Sequence, residues 1–207
     1  MSDSPPVPAG EGPRDTTDSA YAERLASLQQ VWWKRLLPVQ APYRWNLRRL
    51  HLGFTLEIGC GIGRNLEHLK GNAVGLDHNV EAVEFARARG LEAMTPEEFA
   101  QSSYAAPDRF DCLLLAHVVE HMTRDEAIEL VASYLPYLRT GGKVVLIAPQ
   151  ERGFASDASH VEFFDLADLA ELAGALQLSV RRAYSFPFPR AAGRAFVYNE
   201  CVVVAEK

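Results

Sequence analysis

Residues 55–65, TLEIGCGIGRN, constrain the fold of this chain more than any other stretch. Phe54, Leu56 and Ile58 form an apolar, β-prone run that carries an acid at Glu57, and the run then breaks into glycines at alternate positions, Gly59, Gly61 and Gly63. This is the pattern of a strand entering a tight turn, because glycine takes positive φ angles and lets a ligand reach the backbone with no Cβ in the way. Arg64 to Lys70 is compatible with a helix, whose first turn directs free N–H groups into the same space. The expectation is a strand–turn–helix unit that cradles a small molecule with a nucleotide-like end.

Spacing narrows the choice of molecule. Dinucleotide folds use G-x-G-x-x-G, whose third glycine or alanine packs helix against strand, and that position holds Arg64 here. This weighs against a nicotinamide cofactor. The stretch instead resembles the first motif of class I S-adenosylmethionine-dependent methyltransferases, E/D-x-G-x-G-x-G, whose loop holds the methionine part of the cofactor. Further landmarks follow in order. NAVGLDHN, residues 72–79, is a second short apolar strand ending in Asp77, where an acid can accept hydrogen bonds from both ribose hydroxyls. EAVEFARARG is an amphipathic helix with Gly90 as its stop signal, and LEAM reads as a third strand. RFDCLLLA, residues 109–116, is a continuous apolar run of the kind expected for a central strand buried on both faces. LRTGGKVVLIAP resembles the family's glycine turn and fifth strand, while LSVRRAYSF and FVYNECVVVAEK read as a closing antiparallel pair.

The resemblance covers roughly residues 50–206. It implies an α/β, Rossmann-like class I methyltransferase fold: a seven-stranded, mostly parallel sheet with an antiparallel last strand and helices on both faces. It also implies S-adenosyl-L-methionine as cofactor, with Glu57, Gly59, Gly61, Gly63, Asp77, His78, Thr95 and Ala116 in its site. Thr95 stands where the family usually has an acid near the adenine amine.

At 207 residues and 48% hydrophobic, the chain fits one domain with room for a full core. The expected organisation is a disordered tail over residues 1–18, N-terminal cap helices over 19–51 and the methyltransferase domain over 52–207. The tail is rich in Pro, Gly, Ser, Thr and Asp, too polar to support a core. Tyr21, Leu25, Leu28, Trp32 and Leu36 recur at helical spacing up to Pro38, and a second short helix is expected over about Tyr43 to Leu50. In related methyltransferases such helices cover the cofactor. Trp32, Trp33, Tyr43 and Trp45 read either as plain packing or as an aromatic wall for an acceptor. A net charge of −6 argues against a long nucleic acid as main partner, although a local basic patch stays compatible with it. No run approaches the roughly 18 apolar residues of a membrane span, so the expected location is cytoplasmic. Cys60, Cys112 and Cys201 form no CxxC pair and are expected as buried free thiols.

The segment after the fourth strand, HVVEHM, holds the second concentration of chemistry. His117, Glu120 and His121 stand at i, i+3 and i+4, which on a helix places all three on one face. Turn-related side chains of these types converge on metals in H-E-x-x-H helices. His160, in the loop after the fifth strand, leaves the same sheet edge and can complete the group. HVVEHM resembles the E-x-x-E-H element of metal-dependent O-methyltransferases that act on ubiquinone precursors or on the 2′-hydroxyl of small RNAs. That resemblance implies a divalent ion, Mg²⁺ or Mn²⁺, on His117, Glu120, His121 and His160, with Glu120 and His121 as the catalytic pair. His117 replaces the families' first acid, and a nitrogen-richer set shifts preference toward Mn²⁺, Co²⁺ or Zn²⁺. Many metal-free class I methyltransferases carry an E-H pair at this place, so histidine as a general base is the competing route.

The expected acceptor is a small molecule, a hydroxyl on a carbohydrate or other polyol, and the chain resembles in outline small sugar O-methyltransferases of bacterial methylated-polysaccharide pathways. A phenolic or quinone-like acceptor is the alternative within the enzyme class, and a cofactor-binding module without turnover is the alternative outside it. Asp165, with Asp168 three residues on, reads as a helix cap rather than a catalyst, as do Glu97 and Glu98 in a first helical turn. Arg190 and Arg194 lie in the long connection between the last two strands, within reach of substrate or solvent.

Overall fold

A computed structural model describes residues 40–207. The amphipathic helix expected over Tyr21–Leu36, the polar tail, Trp32 and Trp33 lie outside the described residues. The described part opens with α1 (Ala41–Arg49), where the second short helix is expected, with a proline in its first turn and two arginines in its last. Strands and helices then alternate: β1 (Thr55–Ile58), α2 (Arg64–Leu69), β2 (Ala73–Leu76), α3 (Val80–Ala88), β3 (Ala93–Met94), α4 (Pro96–Ala100) and β4 (Phe110–Ala116). The second half comprises α5 (Arg124–Tyr134), β5 (Leu138–Pro149), the one-turn α6 (Glu151–Phe154), α7 (Leu166–Ala175), β6 (Ser179–Phe186) and β7 (Glu200–Glu206).

The strands form one seven-stranded sheet in the order β3-β2-β1-β4-β5-β7-β6. β1 to β5 pair in parallel, and β7 inserts antiparallel between β5 and β6. Strand order reverses between β1 and β4, and in open α/β sheets that switch point opens a crevice at the carboxyl ends of the strands. The expected mostly parallel sheet with a closing antiparallel pair is the sheet observed.

The middle of the sheet explains the composition. Cys112 to Leu115 of β4 are fully buried, alternate residues facing two separate cores. Leu113 and Leu115 pack with Val144, Leu146, Leu169 and Leu172 on one face, while Cys112 and Leu114 meet Leu47, Leu50 and Phe186 on the other. A strand covered on both sides has no polar face, which is why RFDCLLLA shows no alternation. Burying one such leucine contributes roughly 1.5–3 kcal/mol. All three cysteines are free and buried. Helix starts carry capping boxes: Thr95 and Glu98 at α4, Thr123 and Glu126 at α5, and, as expected, Asp165 and Asp168 at α7. None of the described helices is long and apolar enough to cross a membrane.

Candidate active site

Two groups of residues meet at the carboxyl edge of the sheet. The first is the glycine turn after β1. Gly59, Gly61 and Gly63 all take positive φ, at 74°, 51° and 81°. A Cβ at Gly59 would collide with Val118 of the turn after β4, and one at Gly63 would collide with Leu91, so these positions are fixed by close approach as well as by backbone angle. The amides of Gly59 and Cys60 both donate to Leu76 O at 2.8 Å, which bends the chain tightly over the end of β2.

Asp77 locks this turn from beneath. Its Oδ2 accepts from Gly61 N at 2.7 Å and its Oδ1 from Asn79 N at 2.9 Å, which leaves two of the carboxylate's lone-pair positions for a ligand. Glu57 is 1% exposed, accepts from Asn65 Nδ2 at 2.7 Å through Oε1, and has no hydrogen-bond partner for Oε2. Desolvation pushes its carboxyl up to about 8, with Asp77 adding to the rise and Asn65 opposing it. A buried carboxylate oxygen without a donor is the kind of group that a cationic or hydrogen-bonding ligand satisfies. His78 lies just outside, its ring half-exposed and its Nδ1 3.8 Å from Asp77 Oδ1. Thr95 is committed as the N-cap of α4, accepting from Glu98 N at 3.3 Å, and Ala116 ends β4 beside the same crevice.

The second group follows β4, and its geometry departs from the one-face helix read from the spacing. His117 N donates to Ile147 O at 2.9 Å, which carries the β4–β5 pairing one residue beyond the strand. His117 then takes a φ of 60°, and only Val119–His121 forms a helical turn, of the tighter 3₁₀ kind. Strand pairing thus claims the residue that an α-helix starting at His117 would have needed. Its ring reaches across to β7 instead: Nε2 lies 2.9 Å from Glu200 Oε1, and Nδ1 lies 3.3 Å from Glu120 Oε1. Burial alone would lower the His117 pKa, but the two carboxylates outweigh it and push the imidazole up to about 10.

Glu120, His121 and His160 do come together. One ligand atom from each lies within 4.8 Å of the others. Glu120 is fully buried, and among the described residues its carboxylate has the His117 ring 3.3 Å from Oε1 and no well-aligned hydrogen bond to either oxygen. The loop that brings His160 is tied to the same turn, since Val161 N donates to Glu120 O at 2.7 Å. The neighbours of both histidines set their tautomers. His160 Nδ1 lies 2.7 Å from Phe154 O, and a carbonyl only accepts, so Nδ1 carries the proton and Nε2 the lone pair. His121 Nδ1 faces Ser159 O at 3.3 Å with the same consequence. Burial lowers the pKa of His121, which keeps it neutral at pH 7. Two imidazoles with free lone pairs around a buried carboxylate suit a divalent cation, and His117 stands outside this set.

Glu200, Ser159 and Phe154 are site residues that the sequence reading missed. An acid opening the otherwise apolar run ECVVVA is the only local sign of the first. Of the expected aromatic wall, Tyr43 donates to Tyr198 O at 2.7 Å, and burial with the nearby Glu200 raises its pKa. Trp45 is 56% exposed, stacked beside Phe186 and under Arg49. Arg190 binds Glu151 through both guanidinium ends at 2.6 Å, while Arg194 lines a cleft beside that pair.

Residues 56–146 match the family profile described as a methyltransferase domain. A ubiquinone biosynthesis O-methyltransferase from a Methylobacterium species is 29% identical over 156 residues, which cover 62% of this chain and 61% of that protein. Among solved structures, a magnesium protoporphyrin IX methyltransferase from Synechocystis with bound S-adenosylhomocysteine superposes with a TM-score of 0.64 at 18% identity, covering 94% of this chain and 97% of that one. An S-adenosylmethionine-dependent methyltransferase from Archaeoglobus fulgidus gives 0.59 at 19% identity over 80% of this chain and 93% of its own. Residues 56–146 are thus similar to a methyltransferase domain, and the sheet shares the fold of these solved S-adenosylmethionine-dependent methyltransferases.

Proposed function

We propose that this protein transfers the methyl group of S-adenosylmethionine to a hydroxyl of a small acceptor, assisted by a divalent cation on Glu120, His121 and His160. The observation that carries the reading is the convergence of the fully buried Glu120 with two histidines whose neighbours leave Nε2 free, one ligand atom of each within 4.8 Å of the others.

In this reading the glycine turn and the amides of α2 seat the methionine end of the cofactor, the free oxygen of Glu57 faces its polar end, and Asp77 takes the ribose hydroxyls. Thr95 and Ala116 flank the adenine. The reaction is an in-line displacement at a carbon activated by the sulfonium, so alignment supplies most of the acceleration. The new bond joins acceptor oxygen to methyl carbon, the carbon–sulfur bond breaks, and S-adenosylhomocysteine leaves as a neutral thioether. A bound cation would lower the pKa of the acceptor hydroxyl and hold it in place. The one free lone pair of His121, on Nε2, would hold either the cation or a proton: with the cation bound the hydroxyl proton passes to solvent, and without it His121, neutral at pH 7, receives that proton, while His117 with Glu200 fixes the side of the pocket from which Glu120 is held.

A carbohydrate or other polyol fits a site that can engage vicinal hydroxyls, with Tyr43 as a flat wall. The Methylobacterium relative favours a second reading, a phenolic or quinone-like acceptor. A methyl-transfer screen over sugars, phenols and short RNAs, with EDTA and then with Mg²⁺ or Mn²⁺ restored, tests both. The expected result is activity on a hydroxyl acceptor that falls at least tenfold with chelator and returns with metal. Undiminished turnover in EDTA would remove the cation and leave His121 as the base; absence of S-adenosylmethionine binding would remove the whole reading.

A further inference from the structure

The opposite edge of the sheet carries a second site. Where Leu52 and Gly53 lead into β1 and Asn72 leads into β2, the ends of α1 and α2 enclose a cleft of about 250 Å³ lined by Arg48, His51, His68 and Lys70. The β1 strand separates it from the glycine turn, so it lies apart from the methyl-transfer site. One of its lining residues carries a polar atom without a partner among the described residues: His68 is 7% exposed, and its Nδ1 is shielded from solvent with no hydrogen bond. Burial, then Arg44 and Arg64, with a smaller part from Arg48, hold this imidazole down at about 4, while Glu67 opposes them.

The charge around the cleft is one-sided. Arg48 and Lys70, the arginine and the lysine that line it, form no ion pair among the described residues. The nearby acids are already taken, Glu67 by Arg89 and Asp111 by Arg139. Backbone carbonyls at the rim are also occupied: Leu50 O and His51 O accept from Lys143 Nζ at 2.8 and 2.9 Å, and Gly53 O accepts from Asn72 Nδ2 at 2.7 Å. Two cations without an ion-pair partner line one cleft, and their mutual repulsion favours a ligand that neutralises them.

We infer that this cleft binds the phosphoryl group of a small phosphate monoester, with Arg48 and Lys70 as its charged partners and His68 as a further donor. A phosphate dianion offers several acceptor oxygens to the guanidinium fork of Arg48, the ammonium of Lys70 and an imidazole N–H. The site is independent of the metal reading and of the acceptor's identity.

Calorimetry with the full chain and inorganic phosphate, at constant ionic strength set by chloride, tests the inference. The probe set also includes glycerol 3-phosphate as a monoester and dimethyl phosphate as a diester. Saturable binding of phosphate and the monoester is expected, with the diester at least tenfold weaker and the His68 ring resonances moving on binding. Arg48→Gln and Lys70→Gln, both at exposed positions, should each weaken phosphate about tenfold while leaving affinity for S-adenosylhomocysteine unchanged. Equal responses to phosphate and chloride, tighter binding of the diester, or unchanged affinity in both variants would each overturn it.

Discussion

Glu57 shows how one side chain ties sequence to ligand. A carboxyl that is 1% exposed, with a single hydrogen bond from Asn65, stays protonated well above the usual carboxylate range, and desolvation is the main cause. Its pKa in the folded chain, about 8, lies above the ordinary value of 4.5, so the folded state binds the proton more tightly than the unfolded one. The associated stability is therefore fully present below pH 4.5 and is lost as pH rises through about 8. Glu57→Gln mimics the protonated form at every pH. Urea midpoints of the native protein should fall relative to Glu57→Gln between those two values, and parallel curves for the two proteins would show that Glu57 is ionised throughout. A donor brought by the cofactor to the free oxygen lowers that pKa, so binding of S-adenosylhomocysteine near pH 7 should release close to one proton in the native protein and fewer in Glu57→Gln. Calorimetry in buffers of different ionisation enthalpy measures that number directly.

At the scale of elements, the connection from β6 to β7 decides where Glu200 stands, and one buried amide holds it. Asn199 is fully buried; its Nδ2 donates to Gln150 Oε1 and to Ser185 Oγ, both at 3.0 Å, while its Oδ1 accepts from Phe188 N at 3.0 Å. The end of β5, the end of β6 and the start of β7 are thereby fixed to each other. Asn199→Ala leaves the Phe188 amide without its partner and removes the closer donor to Gln150 Oε1 in a dry site, at a cost of about 2–4 kcal/mol. Chemical denaturation should read that loss, and methyl transfer should fall as Glu200 and His117 lose their register. This joint was not legible in the sequence, because every member lies far along the chain from the others and no local pattern marks a polar network. The glycine turn was legible, since its chemistry is local: strand, positive-φ residues and helix are consecutive. HVVEHM was legible in composition but not in geometry. Spacing at i, i+3 and i+4 assumes a helix, whereas pairing with Ile147 extends the strand through His117, so that Glu120 and His121 reach His160 while His117 turns to Glu200. Sequence periodicity carries no account of a neighbouring strand that competes for the same amide.

Across the whole molecule, the proposed cofactor site draws on the ends of four adjacent strands. Glu57 comes from β1, Asp77 follows β2, Thr95 follows β3 and Ala116 ends β4, and these strands stand side by side as β3-β2-β1-β4. Each contributes only one or two groups, so no part of the unfolded chain can reproduce the site. A ligand that spans them binds the native state alone and stabilises the whole cooperative unit, by about 2.7 kcal/mol at a hundredfold excess over its Kd. S-adenosylhomocysteine should therefore raise the urea midpoint by that amount at fixed slope, whereas NAD should leave it in place because Arg64 occupies the position where a dinucleotide turn needs a small residue. Gly59→Ala separates the site from the sheet that carries it. With φ at 74° and Val118 against the new methyl group, the substitution costs about 1–3 kcal/mol without ligand, and it displaces the turn that the ligand would contact. The ligand-induced rise should then shrink well below that of the native protein. A full rise in Gly59→Ala would place the cofactor elsewhere than at this turn, and no rise in the native protein would mean that the strand ends do not form one site.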